Sequence, residues 1–88
     1  MKGMVNMNKN YMATLKSGLN KAGYIYLQDG LKLYVVRISD GAPFGYFFKY
    51  RENERYVYLK LEGDDSGYVS ETFPSQKAAA EFMRRGGY

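Results

Sequence analysis

Apolar residues first recur at helical spacing and then switch to a period of two. Tyr11, Met12, Leu15, Leu19 and Ala22 fall on one side of a 3.6-residue turn, while Lys9, Lys16 and Lys21 fall elsewhere around it. The pattern predicts a helix that Asn8 or Asn10 can cap, that runs to about Lys21 and that Gly23 ends. Ser17 and Gly18 weaken its interior, the glycine by about 1 kcal/mol relative to alanine, so packing has to hold this helix in place.

From Gly23 to Glu62 the chain reads as four strands at residues 24–27, 31–39, 45–51 and 55–61. Asp29-Gly30 marks the first turn, and the length of that turn decides which side chains face inward. A two-residue loop pairs Tyr26 with Leu33 and Tyr24 with Val35, which mixes rings and aliphatics on one face. A three-residue loop of Gln28, Asp29 and Gly30 pairs Ile25 with Leu33 and Leu27 with Leu31. The second register is preferred, because it gathers Ile25, Leu27, Leu31, Leu33 and Val35 on the inner face and sends Tyr24, Tyr26, Lys32 and Tyr34 outward.

The third and fourth strands follow the same division if the turn at Glu52 to Glu54 leaves an even number of residues unpaired. Tyr46, Phe48 and Tyr50 then face inward with Val57, Leu59 and Leu61, and Phe47, Lys49 and Arg51 face outward beside Tyr56, Tyr58 and Lys60. Val36 and Ile38 join Phe47 on the outer face and suggest a dimer contact; a bulge near Asp40-Gly41 that turns Ile38 inward is the alternative.

Gly63 to Gly67 form a polar loop ahead of a fifth strand at residues 68–73, with Val69 and Phe73 toward the core and Pro74 as its stop. Ser75 caps a closing helix to about Arg85, in which Ala78, Ala79, Phe82 and Met83 form a narrow apolar stripe. The expected fold is α+β: a four- to five-stranded antiparallel sheet with an N-terminal and a C-terminal helix packed on one face.

Composition narrows the chemistry. Eighty-eight residues form one small domain, residues 1–88, with residues 1–8 and 86–88 expected to be flexible. There is no cysteine and no histidine. Disulfides and thiolate chemistry are excluded, and the commonest general base and metal ligand are missing, so a non-enzyme without cofactor or metal is expected. No apolar run reaches the length of a bilayer span and no secretory pattern opens the chain, so a cytoplasmic protein without membrane contact is expected. The net charge is +4, and it is uneven: residues 1–37 hold six Lys or Arg against the single Asp29, whereas residues 38–88 hold seven against eight acids. A basic half favours an anionic partner, although a charge of this size also serves ordinary solubility.

Seven of the ten tyrosines lie between Tyr24 and Tyr58, interleaved with cations. An outer face bearing Tyr24, Tyr26, Lys32, Tyr34, Lys49, Arg51, Tyr56, Tyr58 and Lys60 has the parts that hold RNA: bases stack on rings for about 1–3 kcal/mol each, and cations track phosphates. Arg84 and Arg85 can add phosphate contacts from the C-terminal end, or simply complement the helix dipole. Phe44-Gly45-Tyr46-Phe47 resembles part of the aromatic strand of the RNA-recognition-motif family. Ala42 and Pro43 stand where that pattern needs a basic residue and glycine, and the element order differs, so membership is excluded. The leading expectation is a small RNA-binding protein of low sequence preference, acting as a homodimer. The runner-up is a protein-binding inhibitor or adaptor, such as a phage-type accessory protein that blocks a host defence system or a toxin. Glu62, Asp64 and Asp65 lack the ligand spacing of a calcium loop and read as a solvated turn.

Overall fold

Gly23 separates the first helix from the sheet. In the computed structural model, which describes residues 10–87, it sits at φ 92° and donates its N–H back to the Asn20 and Leu19 carbonyls, closing helix α1 (Ala13–Ala22). The chain then enters β1 (Tyr24–Asp29) and β2 (Lys32–Arg37), followed by β3 (Pro43–Phe48), β4 (Val57–Leu61), β5 (Glu71–Phe73) and helix α2 (Gln76–Arg84). The strands form one antiparallel sheet in the order β1-β2-β3-β4-β5. Leu15 and Leu19 of α1 and Ala79 and Met83 of α2 share a core with Leu33, Val35, Phe47, Val57 and Leu59, so both helices cover the same sheet face. The fold is therefore the expected α+β arrangement, with five strands.

Helix α1 starts later than its asparagines suggested. Asn8 lies outside the described residues, as do the rest of residues 1–9 and Tyr88, and Asn10 sits in a turn ahead of the helix. Met12 occupies the N-cap position with left-handed geometry (φ 54°) and supplies no side-chain cap. The N–H groups of Thr14 and Leu15 donate instead to the Gln76 side-chain oxygen, at 3.1 and 3.2 Å. One helix thus caps the other, an arrangement that local sequence cannot reveal. Ser75 does cap α2, its hydroxyl accepting from Ala78 N at 3.2 Å. Gly86 and Gly87 donate back to Met83 and Phe82 carbonyls at 2.9 and 3.0 Å.

The inner and outer assignments of β1 and β3 are reversed from those expected. The first hairpin turns on two residues, Gly30 and Leu31, so that Asp29 faces Lys32 and Tyr26 faces Val35. Gly30 at φ 62° takes the first loop position, as the Gly-first hairpin turn requires. With this parity Tyr24 and Tyr26 join Leu33 and Val35 on the inner face, and Ile25 and Leu27 point outward. In β3, Phe47 pairs with Leu59 and is fully buried, while Tyr46 and Phe48 face outward opposite Lys60 and Tyr58. The turn to β4 leaves an odd number of residues between Phe48 and Tyr58, which inverts the even-count expectation.

A register shift between Val35 and Val36 absorbs Phe44, whose ring lies 5.8 Å from that of Tyr24. Gly45 follows at φ 151°, and a Cβ there would collide with the Lys60 carbonyl. The irregularity is therefore within the β2–β3 pairing, near its turn end, and not at Asp40-Gly41. Ile38 remains exposed, and the expected outward patch of Val36, Ile38 and Phe47 loses Phe47 to the core.

Gly18, read from sequence as a weak point, is where the helices meet. A Cβ at this position would lie 2.6 Å from the Ala80 Cβ. Gly18→Val should therefore lower stability by about 1–3 kcal/mol through overpacking, even though most residues improve on glycine in a helix. Denaturant unfolding of the variant checks this, and unchanged or increased stability would refute the close crossing.

Candidate functional site

No helix among the described residues covers the outer sheet face, which carries a connected group of rings. Tyr34 and Tyr46 stand 5.3 Å apart between ring centres across β2 and β3, and Tyr46 is 5.7 Å from Phe48. Phe48 in turn contacts Tyr58 at 5.5 Å and Tyr50 at 5.3 Å, and Tyr50 reaches Tyr58 at 4.8 Å. The interplanar angles within the group run from 31° to 89°, so several rings pack edge toward face. Toward the β1 edge the same face continues into aliphatics: Ile25 is 53% and Leu27 71% exposed.

The structure divides the residues expected on this face. Lys32, Tyr34, Tyr58 and Lys60 are on it, and Tyr56 is exposed just before β4. Tyr24 and Tyr26 are not; the first is buried and the second packs against the core. Lys49 is also turned inward, with its ammonium 5.6 Å from the centre of the Tyr11 ring and within 3.5 Å of the Glu52 carbonyl. A long aliphatic stem lets a lysine occupy a core-side position while its charged end finds such partners. Arg51 and Arg55 are exposed in the β3–β4 connection. Arg84 pairs with Glu81 at 2.7 Å on α2, and Arg85 follows as its C-cap, so both belong to the helical side of the molecule and not with the rings.

Sequence reasoning missed Tyr46, Phe48, Tyr50 and Tyr68. The last is strongly exposed and helps line an open depression of about 410 Å³ with Tyr46, Phe48, Tyr50, Lys60, Gly67 and Val69. For Tyr46, Phe48 and Tyr50 the signal is Gly45: a glycine inside a strand marks a bulge, and a bulge changes which residues face outward.

The cations left on this face are largely committed. Lys32 lies over the Tyr46 ring at 4.9 Å. Lys60 donates to the Tyr68 carbonyl at 2.6 Å and sits 3.6 Å from Asp64. The loop after β4 is built around that carboxylate, which accepts from Ser70 Oγ at 2.5 Å and Ser66 N at 3.0 Å, while Ser70 Oγ accepts from Leu61 N at 2.9 Å. The Ser70 hydroxyl first, then the Ser66 donors, hold Asp64 well below the usual carboxylate range. Asp64 is thus a structural acceptor, and among the described residues no acidic group of three or more could hold a metal ion.

Glu54 places an anion at the other end of the rings. Its carboxylate accepts from Tyr50 N at 3.1 Å and from the Tyr58 hydroxyl at 2.5 Å. The Tyr58 bond is the main reason that Glu54 titrates below its ordinary range and that Tyr58 is pushed up to about 12. No protein family, curated protein or solved structure matches this chain. The arrangement offers ring edges, hydroxyls and apolar area with, among the described residues, few uncommitted charges.

The Glu54–Tyr58 bond has a pH signature. Tyr58, with its pKa raised in the fold, contributes stability that is complete below about pH 10 and lost as pH rises through about 12. Glu54, with its pKa lowered, contributes stability present above the ordinary glutamate range and lost as pH falls through its depressed value. In Glu54→Gln, Tyr58 should ionise nearer pH 10, a change that ultraviolet titration of the tyrosines or NMR detects. Unchanged ionisation would show that the bond does not form in solution.

Proposed function

We propose that this is a non-catalytic binding protein whose outer sheet face docks on a partner protein, acting as a small inhibitor or adaptor. One observation carries the reading: Tyr34, Tyr46, Phe48, Tyr50 and Tyr58 form a connected ring cluster that runs into exposed Ile25 and Leu27, with no helix of the described residues over it. Tyrosine and other aromatics are enriched where proteins meet, because they contribute large, stiff contact area at low entropic cost. A cytoplasmic setting suits the cysteine-free chain, and no helix among the described residues is long and apolar enough to cross a membrane.

RNA is the second reading, and specific residues favour it. Lys32 over Tyr46 presents a cation at a ring, and Arg51 and Arg55 are exposed beside Tyr50 and Tyr56. The balance goes to protein because Lys49 has left the face, Lys60 is engaged by Tyr68 and Asp64, and Glu54 puts negative charge beside the rings that phosphates would approach.

Tyr50→Ala is expected to weaken partner capture at least about tenfold, since central aromatic anchors contribute about 2 kcal/mol or more, while leaving the thermal transition close to wild type. The measurement is recovery of a stoichiometric protein partner from native extract after nuclease, with and without the substitution; equal recovery by the variant counts against the docking face. Titration of labelled single-stranded RNA at two salt concentrations tests the other reading. Steep salt dependence, together with uniform weakening by Arg51→Glu and Arg55→Glu, would establish RNA as the ligand and displace the protein reading.

A further inference from the structure

We infer that β1 is a pairing edge for a second copy of the chain, joined antiparallel about a two-fold axis at Tyr26. This does not depend on what the ring face binds. Among the described residues β1 is an outer strand of the sheet, and from Tyr24 to Gln28 it carries no charge and no proline, two of the usual devices that keep an edge from pairing.

The backbone shows which residues point outward along the edge. Ile38 N donates to the Gly23 carbonyl at 3.1 Å, which makes Gly23 and Ile38 a hydrogen-bonded pair. Bonded pairs alternate in an antiparallel ladder, so Ile25, Leu27 and Asp29 turn their backbone groups toward Val36, Tyr34 and Lys32. Tyr24, Tyr26 and Gln28 therefore present theirs to the open side.

Only one symmetric register uses all three and also matches the side chains. With Tyr26 opposite Tyr26 of the second copy, Tyr24 exchanges backbone bonds with Gln28, and Ile25 falls opposite Leu27 in both directions. These aliphatic pairs occupy non-bonded positions, where facing side chains approach most closely. The two large apolar side chains left bare on the sheet at this edge thereby shield each other along their facing sides, while their outer ends stay on the ring face. Centring on Leu27 would set Ile25 against Asp29, and centring on Ile25 would leave Leu27 opposite Gly23. Charge agrees with the choice: the exposed Asp29 reaches the Gly23 end of the other strand, which follows the exposed Lys21. The product is a continuous sheet through both copies, with both ring clusters on the same outer face.

Analytical ultracentrifugation from low micromolar to several hundred micromolar tests the pairing. The wild-type chain should be dimeric at the upper end, and Leu27→Lys or Ile25→Glu alone should be monomeric with unchanged circular dichroism. An equimolar mixture of the two variants should regain the dimer, because the ammonium introduced in one chain then meets the carboxylate introduced in the other. A monomeric wild type, a dimeric single variant or a mixture that stays monomeric overturns the inference. If either variant misfolds, amide exchange of the wild-type chain decides. Protection at Tyr24, Tyr26 and Gln28 that disappears on dilution supports the edge, and concentration-independent exchange rejects it.

Discussion

Strand parity governs this structure, and tight turns set it. Side chains alternate across a sheet with a period of two, so a change of one residue in a loop sends a whole strand's side chains to the other face. Gly30 and Leu31 fix that parity for β1 and β2, and the absorbed Phe44 with Gly45 fixes it for β3. Together with the odd-length connection to β4, these two places decide which strand residues of β1 to β4 reach the outer face.

The core accommodates the parity through polar tips as well as apolar bodies. Lys16, although nearly buried on α1, donates to the Gln28 side-chain oxygen at 2.7 Å and lies 5.7 Å from the Tyr26 ring centre, and burial lowers its pKa. Tyr11 donates its hydroxyl to the Leu31 carbonyl at 2.7 Å; burial is the main cause that pushes its pKa up to about 12. These contacts tie α1 and the turn that leads into it to the first hairpin from inside. They also give Tyr26 and Gln28 an inward-facing role that aliphatic residues could not fill, since a buried lysine without a hydrogen-bond acceptor would be strongly unfavourable.

Element order and the faces of β2 and β4 were legible in the sequence because Leu33 and Val35 flank Tyr34 behind Lys32, and Val57 and Leu59 alternate with Tyr56, Tyr58 and Lys60. β1 and β3 were not. Tyr24-Ile25-Tyr26-Leu27 and Tyr46-Phe47-Phe48 carry large apolar groups at both parities, so hydrophobicity alone does not choose between faces. Placing aliphatics and Phe48 inside and lysine outside is the simpler rule, and Lys16 and Lys49 show why it fails here: both charged ends find acceptors or rings on the core side. The N-terminal start of α1 was hidden for a related reason, because its cap comes from Gln76, distant in sequence.

The same parity changes the physics of the exposed face. Had Lys49 stood beside Tyr56 and Tyr58, cations would have alternated with rings, and the electrostatic attraction of a phosphate chain would have dominated. With Lys49 inside and Ile25 and Leu27 outside, the face exchanges long-range charge for apolar area, which contributes about 25 cal/mol per Å² when covered. Such area is worth little to a hydrated, flexible single strand, whose affinity rests on stacking and on counterion release. It is worth more to a surface that can exclude water from the whole patch at once, and that is a property of a folded partner.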